Sequence, residues 1–513
     1  MPTPRRRQII IFGIDGLRPD MISEVTTPNI HALYRRGVWA RHHRTVFPSE
    51  TRGALTSLVT GSHPETHGIL GNQFFARQHL AHQTVTTMAA DWFDADRALP
   101  GGMVTAIGLS EILAKNGRSF AVVTSSGQGS LSALNWRGDI CGQAGYNVRH
   151  PQTGFPDAMV SLIRERHRIP DGGQTTGTEA KAVEVFAGTI WKERNPDVSI
   201  IWLTEADSAS HLSGLGSPQQ LAKIGMCDNA LGMLLDWRDA LPERDDVTIL
   251  VTSDHGHSTI KGLISVTDEL RSAGFSAGTS FTEGNNILVR PGRAVGIWLR
   301  NPDRALSQDL FDFFVEQDWY GGGFSNARAP GANEGVIDGT LALELTRSRH
   351  FRAPDLCINL AGNDENNAYG IPGSAYYDPG EYNMPVGGGT HGGLHVKELS
   401  ALLIAHGADF LSNATSEVPT SIVDIAPTVL TLLGLDVPAT ASGRFLAELT
   451  QKRDGLGVGQ LEVRSSIRRG KQVLLRLSQV GDRLLPEDCT VVSSHGMSAS
   501  EKADGSPLAE ILK

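Results

Sequence analysis

Short apolar runs that end in polar residues recur along the chain, and each predicts a β-strand buried on both faces. The runs are Gln8–Ile14, Phe120–Thr124, Val198–Thr204, Val247–Thr252 and Leu399–Ala405. Helical patterns lie between them, as at Ala180–Lys192 and Leu221–Leu241. Strands that alternate with helices predict an α/β fold around a mostly parallel sheet. Because ligands bind beyond the carboxyl ends of the strands in such sheets, the residues after each run are the first candidates for function.

The remaining segments divide the chain into regions. Residues 256–389 are rich in Gly, Asn and Pro and contain only short alternating stretches, which indicates a cap inserted into the core. The core then has a first part, residues 1–255, and a second part, residues 390–455. Residues 456–513 are charged and patchy apart from the apolar Val473–Leu477, and we interpret them as a C-terminal appendage.

The composition is that of an ordinary globular protein, with 40% hydrophobic and 20% charged residues among 513. The formal net charge of -10 argues against a basic face for nucleic acid, so we expect no nucleic-acid polymer as a partner. If the ligand is an anion, something other than the overall charge must attract it, and a metal ion is the natural candidate.

Neither the cysteines nor the N-terminus indicates an exported protein. The four cysteines are far apart and form no CxxC pair, which is typical of small apolar side chains in a reducing compartment: Cys141, Cys227, Cys357 and Cys489. The apolar run of "MPTPRRRQIIIFGIDG" is too short for a signal peptide, and no small-residue cleavage site follows. No run approaches the ~18–20 apolar residues that span a bilayer. We therefore expect a soluble, cytoplasmic protein without a membrane partner; the oligomeric state is not predicted.

Acidic residues and histidines follow three predicted strands and one glycine-rich turn, in "IFGIDG", "EADSASHLSG", "SDHGHS" and "VGGGTHGG". Each fragment alone has an ordinary explanation as a helix cap, a surface pair at i, i+4 or a turn. Together they bring three aspartates and three histidines to one edge of the sheet: Asp15, Asp207, Asp254, His211, His255 and His391.

This set of side chains predicts a binuclear metal site. Carboxylate and neutral imidazole are ligands of zinc and manganese. Three clustered carboxylates would repel one another without a cation. Six ligands suit two divalent ions, each left with an open position. Zinc suits the ligands best, and manganese would be tolerated.

The stretch "VFPSETRGALTSLVTG" places Thr51 at the start of a helix of small residues. A threonine hydroxyl has too high a pKa to attack phosphorus unaided, but coordination to a dication would stabilise its alkoxide. The helix N-terminus adds N–H donors for an incoming phosphate. The alternative is that Thr51 or Ser49 only caps this helix, with Glu50 in a favourable first turn. The metal candidates favour the nucleophile.

With these residues in place, the chain resembles the alkaline phosphatase superfamily, and most of all its nucleotide pyrophosphatase/phosphodiesterase branch. The shared motifs run in the family's order from about residue 8 to 435: "GIDGLRPD", "TPNIHALYRRGV", "VFPSETRGALTSLVTGSHPETHGILGN", "EADSASHLSG", "SDHGH", "GGTHGG" and "TSIVDIAPTVLTLLGL". The resemblance implies an α/β/α sandwich with a mostly parallel central sheet and an inserted cap.

The resemblance also implies how the candidates divide between two metal ions. One ion would be held by Asp15, Thr51, Asp254 and His255, with Thr51 as the nucleophile. The other ion would be held by Asp207, His211 and His391.

Two further positions match the family, and one stretch departs from it. Asn72, in "HGILGN", matches the residue whose amide donates to a non-bridging phosphate oxygen, and Gly61 also fits the pattern. The branch usually has Phe-Pro-Asn directly after its threonine, whereas Arg52-Gly53-Ala54 follows here. This departure leaves the natural substrate open.

The implied reaction is hydrolysis of a phosphodiester or nucleotide pyrophosphate bond in a small molecule, through phospho-Thr51. A phosphonate hydrolase that cleaves a C–P bond and a phosphomonoesterase remain alternatives. A sulfatase is disfavoured because Thr51 stands where those enzymes oxidise a cysteine or serine. Outside the hydrolases, a phosphomutase would need a serine motif that is not seen, and a silent metal-binding scaffold would be expected to have lost ligands.

Other residues have weaker claims to a role. His395 competes with His391, which is preferred because the glycine-rich turn before it permits close approach of the backbone. Phe74 and Phe75 could stack on a base, although phenylalanines are more often core residues. Arg52 could contact substrate or be a solvated helix residue. The remaining candidates are interpreted as structural, capping or exposed: His42, His43, His63, His67, His257 and Asp424.

Overall fold

An eight-stranded sheet runs through the centre of the molecule, and most of the predicted apolar runs form its strands. The structure, a computed structural model, describes residues 6–77, 79–80, 82–282, 284–380, 383–451 and 459–493. In spatial order the strands of the sheet are Ala414–Ser416, Val38–Ala40, Leu403–His406, Val247–Thr252, Gln8–Ile14, Val198–Leu203, Phe120–Thr124 and Ala144–Asn147. The last five of these pair in parallel. The prediction of a mostly parallel α/β sheet is confirmed.

One predicted strand differs from expectation. The run Leu399–Ala405 is split: Ser400–Ala401 pairs with His43–Arg44 in a separate small sheet, and Leu403–His406 enters the central sheet. There it runs antiparallel to Val247–Thr252. A buried strand is apolar whichever way it runs, so the apolar pattern carries no information about its direction.

Helices cover both faces of this sheet. Alternate residues of the first strand point to opposite faces, so Ile9 and Ile11 belong to one buried cluster, and Ile10, Phe12 and Ile14 to the other. The helices of the described residues are Pro28–Arg36, Thr51–Thr60, Pro64–His67, Ala89–Ala98, Leu109–Lys115, Gln128–Asn135, Asp157–His167, Thr178–Val185, Trp191–Arg194, Glu205–Ser213, Pro218–Asp239, Val266–Ser272, Arg304–Glu316, Val396–Leu399 and Ile425–Leu432. The two predicted helices are present, the first interrupted by a π-turn at Phe186–Ile190.

The predicted cap carries its own sheets. A six-stranded sheet contains Ala277–Gly278, Ile287–Arg290, Ala294–Leu299, Leu356–Leu360, Tyr320–Ser325 and Leu341–Ala342. A four-stranded sheet contains Gly362–Asn366, Pro372–Tyr377, Ser258–Leu263 and Gly389–Thr390. These sheets form one side of the cleft described below.

The C-terminal segment is a three-stranded antiparallel sheet: Gln460–Arg468, Lys471–Val480 and Arg483–Ser493. Val473 and Leu475 share a buried cluster with cap residues such as Phe311. Glu487 forms a buried ion pair with Arg44 of the core at 2.6 Å. The described part of the appendage is therefore tied to both regions, and the domain boundaries stay a prediction.

The predictions about membrane spans and about the cysteines concern the protein's location. Among the described residues, no helix is both long and apolar enough to cross a bilayer, and the cysteines are free thiols. Residues 1–5, 452–458 and 494–513, on which parts of the N-terminal and appendage predictions depend, lie outside the described residues. The cytoplasmic location stays a prediction.

Candidate active site

Three aspartates meet at the carboxyl edge of the central sheet because the strands before them are neighbours. Asp15 directly follows the strand that ends at Ile14, and Asp254 comes two residues after the strand that ends at Thr252. Asp207 lies in the first turn of a helix that starts just beyond Leu203. The Asp15 strand lies between the other two. All three carboxyl groups therefore reach the same place.

The carboxyl groups of Asp15 and Asp254 are buried, and among the described residues each has one oxygen without a hydrogen-bond partner. Oδ1 of Asp254 accepts hydrogen bonds from the backbone N–H groups of Gly16 (3.0 Å) and His255 (3.1 Å). Its Oδ2, like Oδ1 of Asp15, has no hydrogen-bond partner among the described residues. Burial and the carboxylates of Asp254 and Asp207 hold the pKa of Asp15 well above its usual range. The site thus holds buried acceptors that a cation would satisfy.

Asp207, His211 and His391 form a second group on the same edge. Oδ1 of Asp207 lies 3.3 Å from Nε2 of His211 and 3.8 Å from Nε2 of His391. Burial opposes ionisation of Asp207, but the rings of His211 and His257 hold the pKa of its carboxyl well below the usual range. Burial and the rings of His255 and His211 hold the pKa of His391 well below its usual value. His391 is therefore a neutral ring, the form that binds metals.

Thr51 is the first residue of its helix, and its hydroxyl faces the first group. Oγ1 lies 3.2 Å from Nε2 of His255, and the residue is 6% exposed. The capping position is held by Glu50, whose side chain makes no capping hydrogen bond. The hydroxyl of Ser49 donates instead to the carbonyl of Gly393 at 2.8 Å. Neither hydroxyl acts as the helix cap, so the geometry favours the nucleophile interpretation of Thr51.

The histidines of both groups use Nδ1 in the same way. Each Nδ1 bonds to a backbone carbonyl oxygen, at 2.7, 3.0 and 2.8 Å in the pairs His211–Gly389, His255–Gly256 and His391–Ser49. Because a carbonyl oxygen only accepts, we assign the ring proton to Nδ1. The lone pair of each Nε2 then faces the acids. Metal-ligating histidines have this arrangement.

His257 is the residue that the sequence interpretation left out of the site. The ring is fully buried, and its Nε2 lies 3.1 Å from Oδ1 of Asp207. Burial lowers the pKa of His257 although Asp207 acts to raise it. Ligand atoms within 4.8 Å of one another fall into two sets: Asp15, Asp207 and His255, and Asp207, His211, His257 and His391. The second histidine of "SDHGHS" is the signal that could have found it.

His395 lies away from the aspartates. It caps the helix Val396–Leu399, where its Nδ1 accepts a hydrogen bond from the N–H of Lys397 at 3.3 Å. Its Nε2 lies 3.5 Å from a carboxylate oxygen of Asp364. Of the two competing histidines, the structure brings His391 to the cluster.

Phe74 and Phe75 are core residues, so the stacking hypothesis is wrong. They are 0% and 1% exposed. Phe75 packs edge-on against Phe281 and Trp298 of the cap region. Their strand lies between two buried clusters, and a base cannot reach either ring.

The other minor candidates also have structural surroundings. Arg52 is half-buried and donates from Nη1 to the hydroxyl of Ser130 at 2.8 Å, and a contact of Arg52 with substrate stays a prediction. Asp424 is buried and accepts from the N–H of Ser421 at 2.8 Å, as expected for a capping residue. The remaining predicted structural histidines are buried: His42, His43, His63 and His67.

A cleft of about 240 Å³ opens beside the cluster. Asn72 and His391 line it together with cap residues such as Tyr377 and Asp378. Oδ1 of Asn72 accepts the N–H of Arg52 at 3.1 Å. Its amide NH₂ is therefore the group that remains to donate to a ligand. The cleft has room for a small molecule beside Glu50, His211 and His391.

Sequence comparison places the chain in a family. The model of the family described as type I phosphodiesterase/nucleotide pyrophosphatase matches residues 9–316, more than half of the chain. The chain belongs to the type I phosphodiesterase/nucleotide pyrophosphatase family. Thr51, Asp207 and Asp254 lie within the region that matches the family, and His391 lies beyond it.

Curated members of the type I phosphodiesterase/nucleotide pyrophosphatase family are distant relatives. A venom phosphodiesterase of Naja atra is 26% identical over 49% of this chain and 26% of its own length. Ectonucleotide pyrophosphatase/phosphodiesterase family member 3 of Mus musculus is 23% identical over 85% of this chain and 43% of its own. This chain thus spans less than half the length of these two relatives.

Solved structures of the family share the fold. The human ectonucleotide pyrophosphatase/phosphodiesterase 5 superposes with a TM-score of 0.59 and 16% identity, covering 87% of this chain and all of that one. A murine counterpart, an inactive form in complex with AMP, gives a TM-score of 0.55 and 18% identity over 84% of this chain and 96% of its own. The predicted α/β/α fold of the alkaline phosphatase superfamily is confirmed.

Proposed function

We propose that this chain is a metal-dependent hydrolase that cleaves phosphodiester or pyrophosphate bonds of small nucleotide-like molecules through a phospho-Thr51 intermediate. The observation that carries the proposal is the Thr51 hydroxyl, 3.2 Å from His255 at a helix N-terminus and above a buried Asp/His cluster. Membership of the phosphodiesterase/nucleotide pyrophosphatase family supports it.

The residues of the cluster fit divalent cations. Asp15 and Asp254 each keep a buried oxygen without a hydrogen-bond partner among the described residues. Such acceptors are costly in a protein interior unless a cation meets them. In our assignment Asp15, Thr51, Asp254 and His255 hold one ion, and a second group holds another: Asp207, His211 and His391. Nitrogen and carboxylate donors together favour zinc, with manganese accepted.

Bound ions would lower the pKa of the Thr51 hydroxyl and offset charge on the phosphoryl oxygens. In the first step Oγ1 of Thr51 bonds to phosphorus, and the hydroxyl proton passes to solvent. The bond from phosphorus to the leaving oxygen breaks, and that oxygen keeps the electron pair and takes a proton. The phosphorus on Thr51 keeps its remaining ester group. In the second step water bonds to this phosphorus, the bond from phosphorus to Oγ1 breaks, Oγ1 takes a proton, and a phosphate monoester leaves.

Two features of the chain would stabilise the charge that develops. The amide NH₂ of Asn72, at the edge of the cleft, donates to a non-bridging oxygen. The N-terminus of helix Thr51–Thr60 adds its positive end. The complex of the murine relative with AMP supports a nucleotide as the substrate here.

The proposal is tested by comparing bis-p-nitrophenyl phosphate, p-nitrophenyl phosphate and phosphonoacetate as substrates, with zinc or manganese present. We expect the diester to have the highest kcat/KM. Thr51→Ala should lower kcat by at least about 10³-fold, because the variant lacks the attacking hydroxyl. Wild-type enzyme acid-quenched during turnover of bis-p-nitrophenyl phosphate should carry a p-nitrophenyl phosphoryl group on Thr51, detected by mass spectrometry of its peptides.

A matched control is Thr56→Ala, which removes a hydroxyl on the same helix that donates to the carbonyl of Arg52 at 2.9 Å. Its kcat should stay within about threefold of the wild type, since a loss of about 1 kcal/mol of local stability leaves the site assembled. Highest activity on phosphonoacetate would favour the phosphonate hydrolase, and full turnover by Thr51→Ala would refute the nucleophile. Inactivity on all three substrates would favour the silent scaffold.

A further inference from the structure

A fourth histidine, His257, faces the metal-binding cluster without a part in the mechanism above. It lies two residues after His255, in the turn between strands Val247–Thr252 and Ser258–Leu263. Its ring is 0% exposed. Its Nδ1 lies 3.0 Å from the carbonyl oxygen of Gly16, and its Nε2 lies 3.1 Å from Oδ1 of Asp207.

When the ring of His257 is neutral, its Nε2 has no proton to donate. The carbonyl oxygen of Gly16 only accepts, so Nδ1 carries the proton, assigned from this partner. Nε2 then presents a lone pair to Oδ1 of Asp207, which also has only lone pairs. Two acceptors at 3.1 Å repel each other unless a cation, a proton or a metal ion, lies against both.

The environment of His257 matches that of the assigned ligands. His211 and His391 also use Nδ1 on a backbone carbonyl oxygen and turn Nε2 toward Asp207. The ring of His257 lies 5.3 Å from that of His211 and 5.2 Å from that of His391. Ligand atoms of the four residues all lie within 4.8 Å of one another, so they surround one position. Four donors with orienting partners are a typical closed set for zinc.

The backbone also makes room for this ring. Gly16 has φ +68°, and a Cβ placed there would lie 2.3 Å from Cε1 of His257. A larger residue at this position would displace the ring from Asp207. Glycine supplies both the positive φ and the free space.

We propose that His257 is a fourth protein ligand, through Nε2, of the cation that Asp207, His211 and His391 hold. The proposal rests on the metal dependence in the proposed function and deepens it. The site around Asp207 then has three imidazoles and one carboxylate, and the site around Asp15 keeps the Thr51 hydroxyl and an open position. The Asp207 site is therefore the tighter, more zinc-selective of the two.

The test compares His257→Gln and His257→Met with the wild type in zinc competition against a chromophoric chelator, with bound metal counted by mass spectrometry. Wild type should bind two ions. In both variants the affinity for one zinc ion should be at least about tenfold weaker than in the wild type, and the affinity for the other should be unchanged. In cobalt-loaded protein the d–d absorption of one ion should change. His406→Gln is the matched control, because His406 also bonds through Nδ1 to a carbonyl, that of Arg36 at 2.9 Å, and pairs near the start of strand Val247–Thr252, at the end opposite Asp254.

Glutamine separates ligation from hydrogen bonding, because its amide can donate to Asp207 but is a poor zinc ligand. If His257→Gln keeps wild-type affinity at both sites, the inference is overturned while the proposed function stands. If wild type binds no dication, the proposed function fails with it. Should the variants not fold, a zinc-edge anomalous map of wild-type crystals decides: a peak about 2.0–2.1 Å from Nε2 of His257 supports ligation, and one beyond about 3 Å overturns it.

Discussion

The ion pair of Glu50 and Arg290 joins the core to the cap beside the nucleophile, and its removal gives the sharpest stability prediction. Nη1 of Arg290 lies 2.6 Å from Oε1 of Glu50, and the two side chains are only 7% and 8% exposed. The other carboxylate oxygen of Glu50 accepts the backbone N–H of Asn72 at 2.6 Å. Burial would lower the pKa of Arg290, but Glu50 raises it above its usual value. The pair thus anchors the loop that carries Asn72.

The size of the effect follows from the burial of both charges. Glu50→Gln leaves a buried guanidinium whose other contact is the carbonyl of Ala294 at 2.7 Å. Loss of one partner from such a pair lowers the free energy of unfolding by about 3–5 kcal/mol. Arg290→Met leaves a buried carboxylate and should have an effect of similar size. The double variant removes both charges, so its loss should fall short of the sum of the single losses by at least about 2 kcal/mol.

Urea unfolding followed by tryptophan fluorescence measures these free energies for the four proteins of the cycle. Arg36→Met is the matched control, because Arg36 forms an ion pair of 2.8 Å with Asp239 at the surface. The two side chains are 45% and 38% exposed. Arg36→Met should lower the free energy of unfolding by less than about 1 kcal/mol. Single losses below about 1 kcal/mol at Glu50 and Arg290, or simple additivity, would refute the reasoning.

Three other predictions follow from buried groups. Burial raises the pKa of Asp378 to about 6, so between about pH 4 and 6 the native state binds more protons than the unfolded chain. Wild-type stability should therefore fall relative to Asp378→Asn as pH rises through this window, by up to about 3 kcal/mol in urea unfolding. A Cβ at Gly13 would lie 2.0 Å from Cε3 of Trp202, so Gly13→Ala should lower the unfolding free energy by about 1–3 kcal/mol. Asp254→Asn removes the charge of a buried carboxyl group whose Oδ2 has no hydrogen-bond partner among the described residues. In chelator it should be more stable than the wild type by about 1–2 kcal/mol, and less stable with zinc, as measured by thermal unfolding.

Each of these predictions has an outcome that would contradict it. A pH profile of Asp378→Asn parallel to the wild type would show that Asp378 does not titrate in this window. Gly172→Ala, at a glycine with open space around it, should be near neutral, and an equal loss at Gly13 would argue against a clash. If the wild type is more stable than Asp254→Asn even in chelator, repulsion between the carboxylates does not destabilise the metal-free protein.

Local sequence was enough to locate the strands that carry the site. Gln8–Ile14, Phe120–Thr124 and Val247–Thr252 have the predicted bounds because they are apolar on both faces and end where the chain meets water. The direction of Leu403–His406 was not predictable, since its pairing depends on residues 151 to 157 positions away. The interpretation of Phe74 and Phe75 failed for a related reason: exposure is decided by what packs on a side chain, here Phe281 and Trp298.

By itself, the sequence determined the layered α/β core, the family and the identity of most acids and histidines at the strand ends, because these depend on periodicity and on short motifs. Only the tertiary structure decided the contacts of side chains that the motifs did not assign to the site. His257 and Asp207 are 50 residues apart, yet their atoms lie 3.1 Å from each other. Glu50 and Arg290 are 240 residues apart and meet at 2.6 Å. Such contacts arise from the order of strands in the sheet and the docking of the cap, which are long-range properties that no local pattern of residues encodes.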